Sequence, residues 1–224
     1  MHAMQRLCAD FLPALIPTGD APPLVGGPKL RAGLAGAAIA AAVLDGQLHV
    51  GPDGALQLTA ATGDGDIWSE VLHRCDAMVP KKAVARCGAA EDFRDRGGRL
   101  RDATVATLVE AGAIEDRSTR VVGIPLRRYA LVRRPDRDAV MTRLTLALDG
   151  APENAHDAVL VILLHAVGAL RRLFPDRDRR ALDAGVSKLR SAGWVADAVS
   201  EALRDLDLAV MAAVVGTPVV IAGS

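Results

Sequence analysis

Asp64 and Asp66 are separated by a single glycine in the run TGDGD, so two carboxylates stand close together in a short polar segment. Paired carboxylates of this kind could bind a divalent cation or transfer a proton. The same residue types are also common in a turn before a helix, where Asp66 would be the N-cap of a helix over Ile67 to Met78. The cap is the favoured interpretation, and the catalytic role remains the alternative.

Arginine is concentrated between Arg117 and Arg137, where seven arginines accompany one acid, Asp136. Each basic residue close to an anionic membrane surface contributes about 1 kcal/mol to binding. The segment therefore predicts attraction to an anionic lipid head group or another polyanion. The candidate contacts are Arg120, Arg127 and Arg128. A solvated hairpin face, partly neutralised by acidic helices nearby, is the alternative that the sequence leaves open.

Arg99 and Arg101 stand at the start of a predicted helix over Leu100 to Ala111, where they could hold a phosphate or diphosphate. A helix followed by a hairpin is also the order found in winged-helix DNA-binding proteins. A recognition helix needs polar and basic side chains that reach base edges, whereas Val105 and Leu108 fill the body of this one. DNA binding is therefore a minor alternative, and no nucleic-acid partner is expected.

Three cysteines, Cys8, Cys75 and Cys87, are an odd number at spacings that fit no disulfide framework or zinc motif. They are typical of a reducing compartment, so we expect a cytoplasmic protein. No metal site and no cofactor are predicted, although Mg²⁺ could accompany the two aspartates if the chain were an enzyme. His165 is predicted to be a hydrogen-bonded core histidine.

The elements that must position these residues are mostly helices. The longest apolar run is Ala155 to Phe174, which has no charged side chain between Asp157 and its last turn apart from His165. Its apolar part would extend about 20 Å, short of the roughly 30 Å hydrocarbon layer of a bilayer. It is predicted to be a buried central helix, capped by Asn154 or Asp157 and ended by Pro175.

Composition agrees with a helical core, since half of the residues are hydrophobic and only 3% are aromatic. Lysine plus arginine equals aspartate plus glutamate at 27 each, so the net charge of zero gives no global argument for a polyanionic partner, and any such argument must be local. The predicted fold is mainly α: a single globular helical domain with a buried apolar central helix and two small β-hairpins. The predicted divisions are an N-terminal helix and loop over 1–28, the helical domain over 29–215 and a C-terminal extension over 216–224.

Periodicity and turn signals place the remaining elements. Residues 79–94 have a mixed pattern and receive no assignment. Further helices are predicted over Met1–Leu15, Lys29–Leu44, Asp136–Leu148, Arg179–Leu189 and Trp194–Val215, and hairpins are predicted over Gln47–Thr59 and from Ile114 onward.

Several runs, in their order and spacing, resemble the Golgi phosphoprotein 3 family and its actinobacterial members. They are LAGAAIAAAVLDGQLHV, TGDGDIWSEVL, LVEAGAI, and LLHAVGALRRLFPDRDRRA followed by GWVADAVSEAL, and the resemblance extends over about residues 30–213. It implies a mostly helical fold with an apolar central helix and a protruding hairpin. In eukaryotic members it implies a peripheral adaptor that binds phosphatidylinositol 4-phosphate and captures the tails of Golgi glycosyltransferases.

The resemblance also implies a lipid pocket made by one tryptophan and three arginines. By position the tryptophan falls near Gly26 and the first arginine on Ala35. Arg101 matches the next arginine, and Ala103 or Thr104 occupies the last position. A phosphate held by one arginine loses most of its charge-assisted contacts. The specific lipid pocket is therefore predicted to be largely lost.

Two functions remain. The first is a peripheral module without catalysis that binds an anionic membrane surface or a protein partner through Arg101 and the hairpin arginines; the sequence also allows a homo-oligomer. The second is an enzyme of isoprenoid or lipid metabolism, similar to a terpene cyclase, that uses Asp64 and Asp66 and holds a prenyl diphosphate near Arg99. A cavity along the central helix would favour the enzyme, and a solid core would favour the adaptor.

Overall fold

A computed structural model describes residues 3–17, 22–59, 66–88, 90–91, 94–121, 124–126, 128–191 and 208–212. The predicted mainly α fold is confirmed. The helices are α1 (Ala3–Ala14), α2 (Gly27–Leu44), α3 (Ile67–Cys75), α4 (Pro80–Gly88), α5 (Arg96–Glu110), α6 (Arg134–Leu148), α7 (Ala155–Ala166), α8 (Leu170–Leu173) and α9 (Arg179–Ser191).

The strands form short antiparallel pairs. Both predicted hairpins are present, and the unassigned stretch after residue 79 forms α4 and one further small pair. The pairs are β1 (Leu48–Val50) with β2 (Leu56–Leu58), β3 (Ala90–Glu91) with β4 (Arg94–Asp95), β5 (Ile114–Asp116) with β8 (Tyr129–Leu131), and β6 (Thr119–Val121) with β7 (Ile124–Leu126).

Helix α2 runs through the interior because nearly all of its side chains are small and apolar. Every residue from Ala32 to Val43 is buried. Pro28 stands in the first turn, where its missing N–H removes no helical hydrogen bond. A Cβ added at Gly33 would overlap the ring of Phe11 on α1. The small residues therefore let neighbouring helices approach the α2 backbone closely.

Helix α7 is the central apolar helix, and its side chains from Asp157 to Leu164 are all buried. It packs against α1, α2, α6 and α9. Asn154 is its N-cap, since the side-chain oxygen of Asn154 accepts the N–H of Asp157 at 3.0 Å. Among the described residues, no helix combines the length and the apolar character needed to cross a bilayer.

The predicted continuous helix through Phe174 is wrong, because α7 ends at Ala166. Gly168 has a φ of 75°, a left-handed conformation that glycine adopts without the steric penalty of a Cβ. The N–H groups of Gly168 and the next residue donate to the carbonyls of His165 and Leu164, both at 2.9 Å. This pair of bonds is a Schellman cap, which closes α7 before α8 begins.

Other element boundaries differ by a few residues from the sequence prediction. Helix α3 ends at Cys75 rather than Met78, and α5 begins four residues before the predicted Leu100. Of the predicted helix over Trp194–Val215, only 208–212 lies within the described residues, and it is helical. The predicted divisions after residues 28 and 215 stay predictions; α1 packs its apolar side chains into the same core as α2.

Candidate functional site

The arginine-rich segment forms a long β-hairpin that follows α5. Its base is the β5–β8 pair, where Ile114 and Tyr129 are buried. Pairing continues outward, because the N–H of Arg117 donates to the carbonyl of Arg128 at 2.9 Å. In the part of the chain that the structure describes, β6 and β7 pack extensively only on each other. The outer strands are therefore held by the hairpin itself rather than by the helices.

The ion pairs of the hairpin region are exposed. Arg117 lies 2.9 Å from the carboxylate of Glu115, and both side chains are more than half exposed. Arg133 donates to the carbonyl of Gly112 at 3.3 Å and lies 3.8 Å from Asp136. Exposed pairs of this kind contribute only about 0–1 kcal/mol, because water screens them. Their arginines therefore remain in solvent, where an anionic surface can reach them.

The three predicted hairpin contacts are described to different extents. Arg120 lies on β6, paired with Pro125 of β7. Arg128 is half-buried, and its N–H donates to the hydroxyl of Ser118 at 3.3 Å. Arg127 lies outside the described residues. The structure therefore places Arg120 and Arg128 on the two arms of one hairpin.

Arg99 is exposed in α5 and reaches across to α3. Its guanidinium lies 2.8 Å from the carboxylate of Glu70, which also pairs with Arg74 one turn further along α3. An anionic ligand at Arg99 would have to compete with this carboxylate. The contact joins α3 and α5 at the surface.

Asp66 is the N-cap of α3, as the favoured interpretation predicted. Its Oδ1 accepts the N–H of Ser69 at 2.7 Å. Asp64 lies outside the described residues. Glu70 lies one helical turn after Asp66, and its carboxylate pairs with Arg99 of α5. The structure therefore joins α3, the helix that Asp66 caps, to α5.

Arg101, two residues after Arg99, has a different environment. It is only 8% exposed, and its Nε and Nη2 both donate to Oδ1 of Asp102, at 3.0 and 2.9 Å. Thr104, one of the two candidates for the missing arginine, is buried and donates its hydroxyl to the carbonyl of Leu100 at 2.8 Å. A phosphate at this place would meet a guanidinium that already binds a carboxylate.

An ion-pair network between α1, α6 and α7 was not predicted. Arg143 donates to Asp157 and to Asp10, both at 2.8 Å. Asp157 is 1% exposed, and among the described residues its second oxygen, which is also buried, finds no hydrogen-bond partner. Burial raises the pKa of Asp157, an effect that the positive charge of Arg143 partly opposes. The only sequence signal is an aspartate in the first turn of an apolar helix, which also fits a simple cap.

His165 is hydrogen-bonded, as predicted, with its Nε2 3.2 Å from Oδ1 of Asp183 on α9. It lies at the edge of the core rather than in its centre, since its side chain is 27% exposed. Within the described ranges, no group of three or more histidine, cysteine or acidic side chains is arranged to hold a metal ion.

Comparison with known proteins identifies one family. The family model for Golgi phosphoprotein 3 (GPP34) matches residues 10–206, which include the hairpin and α7. No curated protein matches the chain. The match covers the elements that carry the candidate residues. It assigns no role to any single side chain, because proteins that share a fold can differ in function.

Proposed function

We propose a function from the premise that the chain belongs to the Golgi phosphoprotein 3 (GPP34) family. In this proposal the chain is a peripheral module without catalysis that binds anionic membrane surfaces through its basic hairpin. The observation that carries the proposal is the concentration of charge on this hairpin and its exit. Residues 114–137 contain seven arginines and three acids. The described pairs of Arg117 and Arg133 are both exposed, so they oppose attraction to a membrane only weakly.

The outer hairpin favours attraction to a surface over insertion into the hydrocarbon layer. Strand β7 contributes Ile124 and Leu126, and the next two residues are Arg127 and Arg128. Deep burial of the apolar pair would carry both charges toward the hydrocarbon, which is unfavourable. The module is therefore expected to bind at the level of the head groups, and its binding should weaken as salt shortens the Debye length.

We propose further that binding depends on the charge density of the membrane rather than on one head group. The burial of Arg101 and its two bonds to Asp102 support this, because a phosphate would have to replace a carboxylate already in place. The other three positions that the family resemblance implies carry no cation. A specific phosphoinositide pocket would need several charge-assisted contacts at once.

Vesicle flotation tests the proposal. The full chain is mixed at low salt with neutral vesicles, phosphatidylserine vesicles and phosphatidylinositol 4-phosphate vesicles, the last two matched in total charge. We expect binding to both anionic types with similar affinity. Replacing Arg120, Arg127 and Arg128 together by glutamate should weaken binding by about 100-fold or more, because each arginine contributes about 1 kcal/mol.

A control variant changes the same amount of charge elsewhere. Arg171, Arg179 and Arg180 are exposed on α8 and α9, and replacing them by glutamate should leave vesicle binding much closer to the wild-type value. Glutamate is also compatible with the first turn of α9. Absence of binding by the wild type, or equal binding by the two triple variants, would contradict the proposal. Preference for the phosphoinositide at equal charge would contradict the loss of the specific pocket.

The enzyme alternative gains no such support from the described contacts. Asp66 caps α3, and Arg99 faces Glu70. The central helix α7 is buried at every position from Asp157 to Leu164. These observations fit a packed scaffold better than the wall of a substrate site, so the adaptor remains the function we propose.

A further inference from the structure

Two of the three cysteines meet in the core although they are twelve residues apart in sequence. Cys75 is the last residue of α3, and Cys87 is the penultimate residue of α4. Their Sγ atoms are 3.8 Å apart and share a thiol hydrogen bond. Both residues are buried, Cys75 completely and Cys87 with 3% of its surface exposed. The two thiols are therefore neighbours within one shielded environment.

Neighbouring elements hold α3 and α4 in place, both at the turn that joins the two helices and at the end of α4. The turn between α3 and α4 is joined to β2, because the N–H of Leu56 donates to the carbonyl of Met78 at 2.8 Å. Beyond Cys87, a Cβ added at Gly88 would lie 3.2 Å from Cα of Ala32, so α4 ends directly against α2. The Nε of Arg31 also donates to the carbonyl of Gly88 at 3.3 Å. The proximity of the thiols is thus held by surrounding packing.

We propose that Cys75 and Cys87 are a redox pair that closes into an intramolecular disulfide, clamping α3 to α4, when a low-molecular-weight disulfide oxidises the protein. Closure requires the sulfurs to approach from 3.8 Å to about 2.0 Å, a change within the reach of side-chain rotation and a small shift between two helices. Local opening of α3 and α4 would admit the oxidant.

The reaction proceeds by two thiol–disulfide exchanges. Cys87 is the more exposed of the two residues, and its thiolate attacks one sulfur of the oxidant. The oxidant's disulfide bond breaks, and the first small thiolate leaves and takes up a proton. Cys75 then attacks the sulfur of Cys87, and the second small thiolate leaves and is protonated. The protein loses two electrons and two protons, and the small disulfide becomes two thiols.

The surroundings of the pair make this reaction slow in the closed protein. The hydrogen bond to Cys87, together with burial, raises the pKa of Cys75 above that of an ordinary thiol. Few thiolates are therefore present at neutral pH, and the thiolate is the reactive form. Oxidation should consequently depend on how often α3 and α4 open, and the disulfide should resist small reductants once the helices close over it.

Cys8 serves as an internal control. It is buried between α1 and α2, where its thiol donates to the carbonyl of Leu34 at 3.6 Å. Burial also raises its pKa. Cys8 is buried like the other two cysteines, but its hydrogen bond goes to a backbone carbonyl rather than to a second thiol. Oxidation directed by proximity should therefore leave Cys8 as a thiol.

Intact-mass analysis of the full chain tests the proposal. The protein is incubated with oxidised glutathione in urea below the unfolding transition, so that α3 and α4 open repeatedly, and is then alkylated under denaturing conditions. We expect the loss of two hydrogens, a single alkylated thiol at Cys8, and a Cys75–Cys87 linked peptide after digestion. The oxidised protein should unfold at a higher temperature, and a reductant added to the unfolded chain should abolish the difference.

Three outcomes would overturn the proposal: three alkylated thiols after this treatment, a glutathione adduct that persists on Cys87, or a linkage that involves Cys8 or a second chain. Cys8→Ala should form the same linkage and show the same rise in unfolding temperature. Cys87→Ala should show neither, and Cys75→Ala should retain the glutathione adduct on Cys87. Since none of these measurements involves a membrane, the result is independent of the proposed lipid binding.

Discussion

Arginine occupies contrasting environments in the helical body, formed by α1 to α9, and on the hairpin, formed by β5 to β8. Arg143 of the body is 19% exposed and bridges Asp10 and Asp157 from two neighbouring helices. Arg117 of the hairpin is 52% exposed and pairs with Glu115 two residues away. The first pair of contacts connects distant parts of the chain, whereas the second connects residues of one local segment. Only the hairpin arginine is placed to meet an external anion.

The contrast shows that partner burial, rather than residue type, separates a structural arginine from a candidate ligand. Asp157 is 1% exposed, so removal of Arg143 would leave a carboxylate in the core without its counterion. Glu115 is more than half exposed, so water would replace Arg117 with little loss. The following predictions test this distinction.

The largest effect is expected from Arg143→Ala. Breaking a buried ion pair by removing one partner destabilises proteins by about 3–5 kcal/mol. We therefore expect a decrease of this order in the free energy of unfolding, measured by urea denaturation with circular dichroism. Arg117→Ala is the matched control, and its free energy of unfolding should stay within about 1 kcal/mol of wild type. Equal losses in the two variants would remove the distinction between body and hairpin.

A second, smaller effect concerns packing in the body. Gly33→Ala would place a methyl group against the ring of Phe11 and 3.0 Å from Cγ1 of Val167. Overpacking of this kind destabilises by about 1–3 kcal/mol. Gly27→Ala is the control in the same helix, because its methyl would lie at an ordinary 3.7 Å from Arg31.

The control should change stability only slightly. A mid-helix glycine replaced by alanine stabilises by about 0.5–1 kcal/mol, but Gly27 is the first residue of α2 and precedes Pro28, which disfavours a Cβ in the helical conformation, so little of that gain is expected. Thermal unfolding of the two variants side by side gives the comparison. If Gly33→Ala proved as stable as Gly27→Ala, the close approach of α1 to α2 would not be a constraint on the core.

The periodicity of apolar residues predicted most of this body. The alanine-rich run that became α2, the hairpin around Pro52 and the cap at Asp66 all follow from local sequence. The end of α7 did not, because one residue, Gly168, overrides an apolar pattern that continues on both sides. Such a break depends on backbone conformation at a single position, and periodicity averages over many.

The candidate site was predictable only in part, for a different physical reason. The basic hairpin is contiguous in sequence, so its charge could be counted directly. The network of Arg143 joins residues that are 133 and 14 positions apart, and the proximity of Cys75 and Cys87 also depends on tertiary packing. Spacing along the chain holds no information about such contacts until the helices are assembled.

Two aspartates show how body and surface should respond differently to acid. Burial, the leading effect, raises the pKa of Asp157 despite the opposing charge of Arg143. The hydrogen bonds from Arg177, on the other hand, lower the pKa of exposed Asp149. When the folded state binds its proton more readily than the unfolded chain, acid stabilises the fold; when it binds less readily, acid destabilises the fold. The two carboxyl groups should therefore change the free energy of unfolding in opposite directions as the pH falls.

The smallest expected effect is this difference in the pH dependence of the free energy of unfolding, measured by comparing wild type with Asp157→Asn and with Asp149→Asn. As the pH falls from the raised pKa of Asp157 toward about 3.9, the ordinary value, wild type should gain stability relative to Asp157→Asn. Relative to Asp149→Asn, wild type should lose stability as the pH falls from about 3.9 through the lowered pKa of Asp149. Urea denaturation at closely spaced pH values gives both difference curves. Parallel curves would contradict the raised pKa that burial, together with the nearby charges of Glu153 and Asp10, gives Asp157.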